Sequence, residues 1–283
     1  MTRSKVTTKT LVVTSLMAIL FSSNIMAKET NVWILRGLIR ENAHSQFFFD
    51  RLKKEYPHIN FHGLEVHGNG KYYREDSPTS IEKMVEQVRA DYLKINECQK
   101  DSDNFLVAIS LGGMIGVEWM TKNPEDFNKA IIMNSSLKGY SPIFKRMLPI
   151  NFPNYAKLLL TTSPKEKEEI IYSMIISDKK RHTYLIEHWT EIRKKRPVSF
   201  SNTVRQILAG AVYTPPKVAP KTPVVIAVGL GDSFVDPICS INIAKSWQLP
   251  LVTHPTGGHD ITNDQPEWVI KLIDEQFLSL DTN

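Results

Sequence analysis

Cysteine is scarce in this chain of 283 residues, which contains only Cys98 and Cys239. So low a content excludes a disulfide-rich scaffold, and neither cysteine stands in a motif typical of metal binding or catalysis. The eight histidines also lack the spacing of metal ligands, so we expect neither a metal site nor a cofactor. Internal repeats and low-complexity tracts are absent as well. What remains is the composition of an ordinary globular protein with one sizeable core.

The apolar run near the N-terminus is too short to cross a membrane. It covers residues 11–21, whereas a transmembrane helix needs roughly 18 to 20 apolar residues. Three basic residues precede this run, and small residues up to Ala27 follow it. That order is typical of a cleaved signal peptide. We therefore expect residues 1–27 to direct export, to the periplasm or out of the cell, and to take no part in the fold.

Apolar runs with the length of buried strands alternate with helical patterns along the rest of the chain. Six runs are predicted to be strands: Val32–Leu35, Asn60–Val66, Phe105–Ile109, Lys129–Met133, Pro223–Val228 and Leu251–Thr253. The alternation predicts an α/β fold, with a mostly parallel sheet of about six strands and helices on both faces. The last helix is expected to start after Asp264, which would cap its first turn.

A long interruption, residues 138–221, separates the fourth predicted strand from the fifth. It is too long for a loop, and residues 164–176, 182–195 and 202–212 have helical periodicity. The interruption contains sixteen Lys and Arg against six Asp and Glu, although the formal net charge of the whole chain is only +5. We expect a basic helical cap, here called the cap, inserted into a core formed by residues 28–137 and 222–283.

The most informative motif is Ala108-Ile109-Ser110-Leu111-Gly112-Gly113, which stands between a predicted strand and a predicted helix. A serine at such a junction forms a nucleophile elbow, a strained turn that exposes the hydroxyl above the sheet. The residues two before and two after the serine must be small, and here they are Ala108 and Gly112. The motif therefore predicts that Ser110 is a nucleophile.

Two further loops complete a known pattern. Asp232 follows the fifth predicted strand in Gly229-Leu230-Gly231-Asp232, and His259 follows the sixth in Gly257-Gly258-His259. With Ser110, the order serine, acid, histidine resembles that of the α/β-hydrolase superfamily, in particular its serine esterases and lipases with a helical cap. The resemblance covers nearly the whole chain after residue 27, and it implies a catalytic triad of Ser110, Asp232 and His259.

The resemblance also implies an oxyanion hole. Arg36-Gly37-Leu38 ends the first predicted strand, where the family usually has His-Gly followed by an oxyanion-hole residue. The backbone N–H groups of Leu38 and Leu111 would then stabilise the negative charge of the transition state. Losing one such donor typically costs about 3 to 4 kcal/mol of transition-state stabilisation.

The proposed roles follow from the chemistry of the three side chains. A serine hydroxyl becomes a good nucleophile when a histidine takes its proton, and an aspartate orients that histidine. Asp236 and Asp260 are alternative acids, but Asp232 is favoured because it stands directly at a strand end. His254 is an alternative base, but it lacks the glycines that flank His259 and allow close approach of the backbone.

The predicted topology separates the two cysteines. Cys98 would end the helix before the third strand, at the bottom of the sheet, whereas Cys239 would follow the fifth strand near the top. Because a disulfide needs Cα atoms within about 7 Å of each other, we predict two free and mostly buried thiols.

The resemblance implies hydrolysis of a carboxylic ester, from a small molecule or a lipid, through an acyl-enzyme. An acyltransferase or a thioesterase would use the same triad, and a non-catalytic binding protein on the same scaffold is an alternative from another class. Four aromatic residues of the cap are candidates for the acyl pocket: Phe144, Phe152, Tyr155 and Trp189.

The charge of the cap has two interpretations. Its dense clusters, Lys179–Arg181 and Arg193–Arg196, are either a solvated helical face or a surface that contacts an anionic membrane or substrate. No nucleic-acid-binding motif accompanies the charge, so a nucleic-acid partner is not expected.

Overall fold

The computed structural model describes residues 28–96 and 102–279. The predicted export segment and Cys98 lie outside these residues. The strands are β1 (Glu29–Leu35), β2 (Asn60–Leu64), β3 (Ser102–Ile109), β4 (Lys129–Met133), β5 (Val224–Gly229) and β6 (Leu251–His254). They form one parallel sheet in the order β2-β1-β3-β4-β5-β6. The predicted parallel sheet of six strands is confirmed.

The central strands β1, β3, β4 and β5 are apolar because both faces of the sheet are covered there. In β1, Trp33 and Leu35 belong to the core on one face, whereas Val32 and Ile34 belong to the core on the other. Side chains alternate along a strand, so a strand that is covered on both sides becomes a continuous apolar run. In β5 every residue is buried, which is why its run was recognisable in the sequence.

The helices occupy both faces and the segment between β4 and β5. Those of the described residues are α1 (Gln46–Glu55), α2 (Ile81–Asn96), α3 (Leu111–Lys122), α4 (Ile143–Arg146), α5 (Phe152–Leu160), α6 (Pro164–Ile175), α7 (His182–Lys195), α8 (Phe200–Val212), α9 (Ile238–Trp247), α10 (Ile261–Asp264) and α11 (Pro266–Ile273). Buried residues of α2, α3 and α9 join the core on one face, and those of α1 and α11 join the core on the other. None of these helices is both long and apolar enough to cross a bilayer.

The prediction that Asp264 caps the last helix is wrong. Asp264 is the final residue of α10, and Gln265 is the residue that precedes α11. The Asp264 carboxylate instead accepts backbone N–H bonds from Ser177 at 2.9 Å and from Gly258 at 2.6 Å. The Asp264 side chain therefore binds the cap and the loop after β6, and it is not available as the N-cap of α11.

The residues between β4 and β5 fold into helices α4 to α8, of which α6, α7 and α8 are those that the periodicity predicts. Residues of α6 and α7 form a third apolar cluster that includes Tyr172, Ile186 and the fully buried Trp189. The Trp189 indole N–H donates to the backbone oxygen of His44 at 2.9 Å, so this cluster also contacts the core of the fold. The boundaries of the cap as a separate domain stay a prediction.

Cys239 lies on α9, where it is buried and free, as predicted. Burial raises the pKa of its thiol to about 11, so the thiol is a poor nucleophile at neutral pH.

Candidate active site

Ser110 stands at the sharp turn between β3 and α3. Its φ is 57° and its ψ is −117°, a backbone conformation that residues other than glycine rarely adopt. Hydrogen bonds hold the turn in place: the Ser110 N–H donates to Met133 O at 2.9 Å, and the Ser135 hydroxyl donates to Ser110 O at 2.8 Å. The strained turn predicted from the sequence is thus present, and it is tied to the end of β4.

Two glycines allow the end of β1 to touch this turn. A Cβ atom at Gly37 would lie 2.9 Å from the Cβ atom of Ser110, and one at Gly112 would lie 2.5 Å from the backbone oxygen of Leu35. Neither distance leaves room for a side chain, so both positions require glycine. This close approach brings Leu38, the residue after Gly37, next to Ser110.

His259 joins the nucleophile to an acid. Its Nε2 atom lies 2.9 Å from Ser110 Oγ, and its Nδ1 atom lies 2.7 Å from Asp232 Oδ2. A carboxylate can only accept, so Nδ1 carries the ring proton and Nε2 accepts from the Ser110 hydroxyl. The second oxygen of Asp232 accepts from the backbone N–H groups of Phe234 and Val235. The structure therefore brings the three predicted side chains together in hydrogen-bond contact.

The alternative acids and the alternative base have other partners. Asp236 binds the ammonium group of Lys145 at 2.7 Å, and Asp260 binds the guanidinium of Arg36. The ring of His254 packs against Trp268. No hydrogen bond connects Asp236, Asp260 or His254 to Ser110 among the described residues.

The two predicted oxyanion donors line the same cleft as Ser110. Within the described ranges, the backbone N–H groups of Leu38 and Leu111 donate to no other group. Leu111 is also the first residue of α3, and a helix N-terminus favours negative charge. Both N–H groups are thus available to a negatively charged oxygen that forms beside Ser110.

The sequence matches a known family over most of its length. Residues 27–266 match the family described as serine aminopeptidase, S33. The chain belongs to this family of α/β hydrolases. No curated protein matches the chain by sequence.

Solved structures share the fold of this S33-family hydrolase at low sequence identity. A thermophilic esterase from Thermogutta terrifontis is 18% identical, with a TM-score of 0.65 over 88% of this chain and 89% of that one. The hydrolase of 2-hydroxy-6-oxo-6-phenylhexa-2,4-dienoate from a Rhodococcus strain is 16% identical, with a TM-score of 0.68 over 88% and 90%. Naproxen esterase from Bacillus subtilis is 15% identical, with a TM-score of 0.64 over 88% and 84%. These likenesses show the fold alone.

Asn134 joins two loops of this S33-family site, and no sequence motif indicated this role. Asn134 follows β4, has a φ of 44° and is 1% exposed. Its amide group donates to the backbone oxygens of Gly258 and His259, both at 2.8 Å, and its side-chain oxygen accepts from Gly229 N–H at 2.8 Å. The loop that carries the acid and the loop that carries the histidine are therefore joined through one side chain.

Gln206 of α8 holds the loop that carries Leu38, here called the oxyanion loop, in a similar way. Its side-chain oxygen accepts from the N–H of Ile39, the residue after Leu38, at 2.9 Å. Its amide nitrogen donates to Asn69 and Ser77 at 2.8 and 2.9 Å. Ile39 has a φ of 52°, which is rare for a β-branched residue, so the loop needs such an external support.

Arg36, which stands where the family resemblance leads one to expect a histidine, forms a buried ion pair with Asp260. Its Nη2 atom lies 2.7 Å from Asp260 Oδ2, and the two side chains are 3% and 4% exposed. Burial alone would raise the pKa of the Asp260 carboxyl, but the charge of Arg36 lowers it to about 2. The pair connects the strand end before the oxyanion loop with the residue after His259.

A cavity of about 710 Å³, including its opening to solvent, contains Ser110 and His259. Its walls are mostly apolar, with Leu158, Ile171, Met174 and Ile207 from the cap and Leu38 and Ile109 from the core. Of the four aromatic residues that were candidates for this pocket, only Tyr155 lines it. Trp189 is part of the cluster between α6 and α7, and Phe144 and Phe152 are 55% and 56% exposed.

In residues 28–96 and 102–279, no three His, Cys, Asp or Glu side chains are grouped so that they could hold a metal ion.

Proposed function

We propose that this protein is a serine hydrolase that cleaves carboxylic esters through an acyl-enzyme intermediate. The observation that carries the proposal is the hydrogen-bonded series Ser110, His259 and Asp232, which lies beside two unused backbone N–H groups at one end of an apolar cavity. This arrangement supplies a nucleophile, a base, an orienting acid and a site for an oxyanion.

The reaction would proceed in two halves. Ser110 Oγ bonds to the acyl carbon while His259 Nε2 takes the hydroxyl proton, and the N–H groups of Leu38 and Leu111 donate to the oxyanion. The intermediate then expels the alcohol, which receives the proton from His259. In the second half, water attacks the acyl carbon with His259 again as the base, and the carboxylic acid leaves Ser110 in its original state.

The cavity walls favour an ester with an apolar group over an N-terminal peptide. A free α-amino group would need a carboxylate partner, yet among residues 28–96 and 102–279 the only acidic residue that lines this cavity is Asp260. That carboxylate is already paired with Arg36. An acyltransferase or a thioesterase would use the same Ser110 chemistry and differ only in the acceptor or the leaving group.

The test uses p-nitrophenyl esters of graded acyl length together with a fluorophosphonate probe. We expect hydrolysis and labelling of the wild type, and a loss of at least about 10³-fold in kcat for Ser110→Ala, with no labelling. Ser136→Ala is the matched control, because Ser136 lines the same cleft but does not contact His259. A protein that neither hydrolyses any ester nor reacts with the probe would contradict the proposal, as would labelling of Ser110→Ala.

We further propose that the protein acts outside the cytoplasm. The support is the order of basic, apolar and small residues in residues 1–27.

A further inference from the structure

The cap exposes an unusual amount of apolar side chain. Fifteen large apolar side chains are exposed in the described residues, and eleven of them lie in residues 138–221. Single exposed apolar residues are common on protein surfaces, but a concentration of them marks an interaction site.

Helix α8 shows the pattern most clearly. Phe200, Leu208 and Val212 are 67%, 50% and 57% exposed, and the half-buried Val204 completes a spacing of four residues. Residues four apart lie on one face of a helix, so α8 presents an apolar stripe to solvent. Its polar residue Gln206 points the other way and is fully buried.

Helix α5 and the turn before it expose apolar residues in the same way. Leu159 and Leu160 are 67% and 83% exposed, and Ile150 is 77% exposed. Tyr155 and Leu158 of the same helix line the cavity that contains the nucleophile, and Leu160 lies on the side of α5 away from them. The helix therefore has an apolar face toward the cavity and another toward solvent.

These exposed faces flank the site of the proposed chemistry. Tyr155 and Leu158 of α5 and Thr203 and Ile207 of α8 are walls of the cavity that contains Ser110. We call the exposed side chains on this part of the cap the apolar rim, which consists of Ile143, Phe144, Ile150, Phe152, Leu159, Leu160, Phe200, Leu208 and Val212. An apolar molecule that rests on the rim has only a short path to the nucleophile.

The charge of the cap indicates what the rim contacts. The arginines of the dense basic clusters are engaged within the protein, because Arg193 pairs with Glu168 and Arg196 with Glu41. Lys157, in contrast, is exposed between the apolar residues of α5 and makes no salt bridge within the described residues. Two copies of the cap packed rim to rim would bring together two segments with an excess of Lys and Arg, which disfavours a dimer.

We propose that the apolar rim docks the enzyme onto an anionic phospholipid surface. Exposed apolar side chains beside an exposed lysine, on a segment with an excess of Lys and Arg, are features that bind proteins to such interfaces. The inference deepens the proposed function, on which it rests, because it names lipid in a membrane as the source of the ester. An acyl chain would pass from the rim, between α5 and α8, into the cavity beside Ser110.

The first experiment measures co-sedimentation of the full chain with vesicles of phosphatidylcholine alone or of equal parts phosphatidylcholine and phosphatidylglycerol. We expect stronger binding to the anionic vesicles and a loss of about tenfold or more in affinity for Leu159→Ser/Leu160→Ser/Phe200→Ser. We expect Lys157→Glu to weaken binding to the anionic vesicles only. The matched control is Ile95→Ser/Leu251→Ser, at 41% and 39% exposed residues outside the cap, which we expect to bind as the wild type does.

A second measurement does not depend on whether the triple variant folds, or on other parts of the chain that bind lipid. Brominated phospholipid should quench the added fluorescence of Leu160→Trp and not that of Leu251→Trp. Absence of quenching at position 160, or equal vesicle binding by the wild type and a folded triple variant, would overturn the docking proposal. So would a wild-type dimer in solution that the triple variant converts to monomer.

Two readouts separate this proposal from the proposed function. Ser110→Ala should bind vesicles as the wild type does, because docking does not use the nucleophile. The triple variant should hydrolyse a soluble short-chain ester within about twofold of the wild-type rate, because none of its positions lines the cavity. Vesicle binding without any ester hydrolysis would contradict the proposed function and leave the docking surface in place.

Discussion

At the scale of single residues, Asn134 shows how much the site depends on a side chain outside the triad. The acid follows β5 and the histidine follows β6, so their loops meet at one edge of the sheet. Asn134 reaches both loops from the end of β4 and satisfies three backbone groups. It is a positioning residue, because it touches the backbone of His259 and no part of the proposed substrate cavity.

Replacing Asn134 with Ala should therefore lower kcat more than it changes KM. Loss of three hydrogen bonds lets the histidine loop shift relative to Ser110, and a shift of about 1 Å can cost about 100-fold in rate. We expect kcat for a p-nitrophenyl ester to fall about 10- to 100-fold, with KM within about threefold. Asn242→Ala is the control, because its amide also donates two hydrogen bonds, to Tyr140 O and Ser141 Oγ, neither of which belongs to the triad loops. An equal loss of kcat in both variants would mean that Asn134 acts only through general stability.

The sequence was informative about residues whose surroundings are local. Ser110 stands in its own turn motif, and His259 and Asp232 stand in glycine-containing loops directly after strands, so each had a recognisable signature. Asn134 and Gln206 had none, because their partners are 95 to 167 residues away along the chain. The three triad residues could be predicted from local sequence motifs. The side chains that hold their loops in place could not, because those contacts form only in the folded topology.

At the scale of elements, α8 is both a wall of the cavity and the support of the oxyanion loop. Gln206 accepts from Ile39 N–H, whereas Asn202, one turn earlier, binds Ser77 N–H and Glu75 O. Both side chains are almost fully buried, at 0% and 2% exposed, and both fasten α8 to the core. Only Gln206 touches the loop that carries Leu38.

This difference gives a matched pair of variants. Gln206→Ala and Asn202→Ala should each lose roughly 1 to 3 kcal/mol of stability, because each leaves buried groups unpaired. Only Gln206→Ala should also lower kcat, by about tenfold, because the oxyanion donor at Leu38 loses its support. Urea unfolding and ester hydrolysis measure the two effects. A loss of kcat that is the same in both variants would contradict the role given to Gln206.

Element prediction was most accurate for the buried strands and failed for two short helices. The central strands β1, β3, β4 and β5 were found within a few residues, because strands covered on both faces are plain apolar runs. The edge strands β2 and β6 are only partly buried, and they were found from the alternation of strands and helices. Helix α7 was predicted with its observed bounds, His182–Lys195. Helices α4 and α5 were not predicted, since four and nine residues give too few turns for a periodic signal. The start of α11 at Pro266 was predicted, but its cap was not, because the Asp264 carboxylate accepts from Ser177 and Gly258 instead.

At the scale of the whole molecule, buried ion pairs hold the cap, the sheet edge and the histidine loop together. Arg40, near the end of β1, pairs with the fully buried Glu168 of α6, which also binds Arg193 of α7. Arg36 pairs with Asp260 in the same region. Breaking one partner of such a pair leaves an uncompensated charge in the interior, which is strongly destabilising.

The Arg36–Asp260 pair should make the stability of the protein depend on acid pH. The pKa of Asp260 falls from its ordinary value of 3.8 to about 2 in the folded state. Ionisation of Asp260 therefore favours the folded state by about 2 kcal/mol above pH 4, and this contribution is lost as the pH falls toward 2. Asp260→Asn should accordingly be less stable than the wild type at pH 6, and the gap should narrow as the pH falls below 4.

Urea unfolding between pH 3 and pH 6 measures this gap. The control is Asp76→Asn, whose carboxylate is 75% exposed in a surface pair with Arg205 and should change stability by less than about 0.5 kcal/mol at every pH. A gap for Asp260→Asn that stays constant over this range would show that the carboxyl does not titrate as expected.

Helix α8 has one face on the exposed surface of the cap and the opposite face beside the reaction centre. Phe200, Leu208 and Val212 are exposed on the outer face, while the side-chain oxygen of Gln206 accepts from the N–H of Ile39, next to Leu38. If α8 shifted when the cap contacts a bilayer, the loop that Gln206 holds would shift with it, and with it the Leu38 N–H that donates to the oxyanion. Membrane affinity and kcat would then change together, so a substitution that strengthens membrane binding through α8 would also alter kcat.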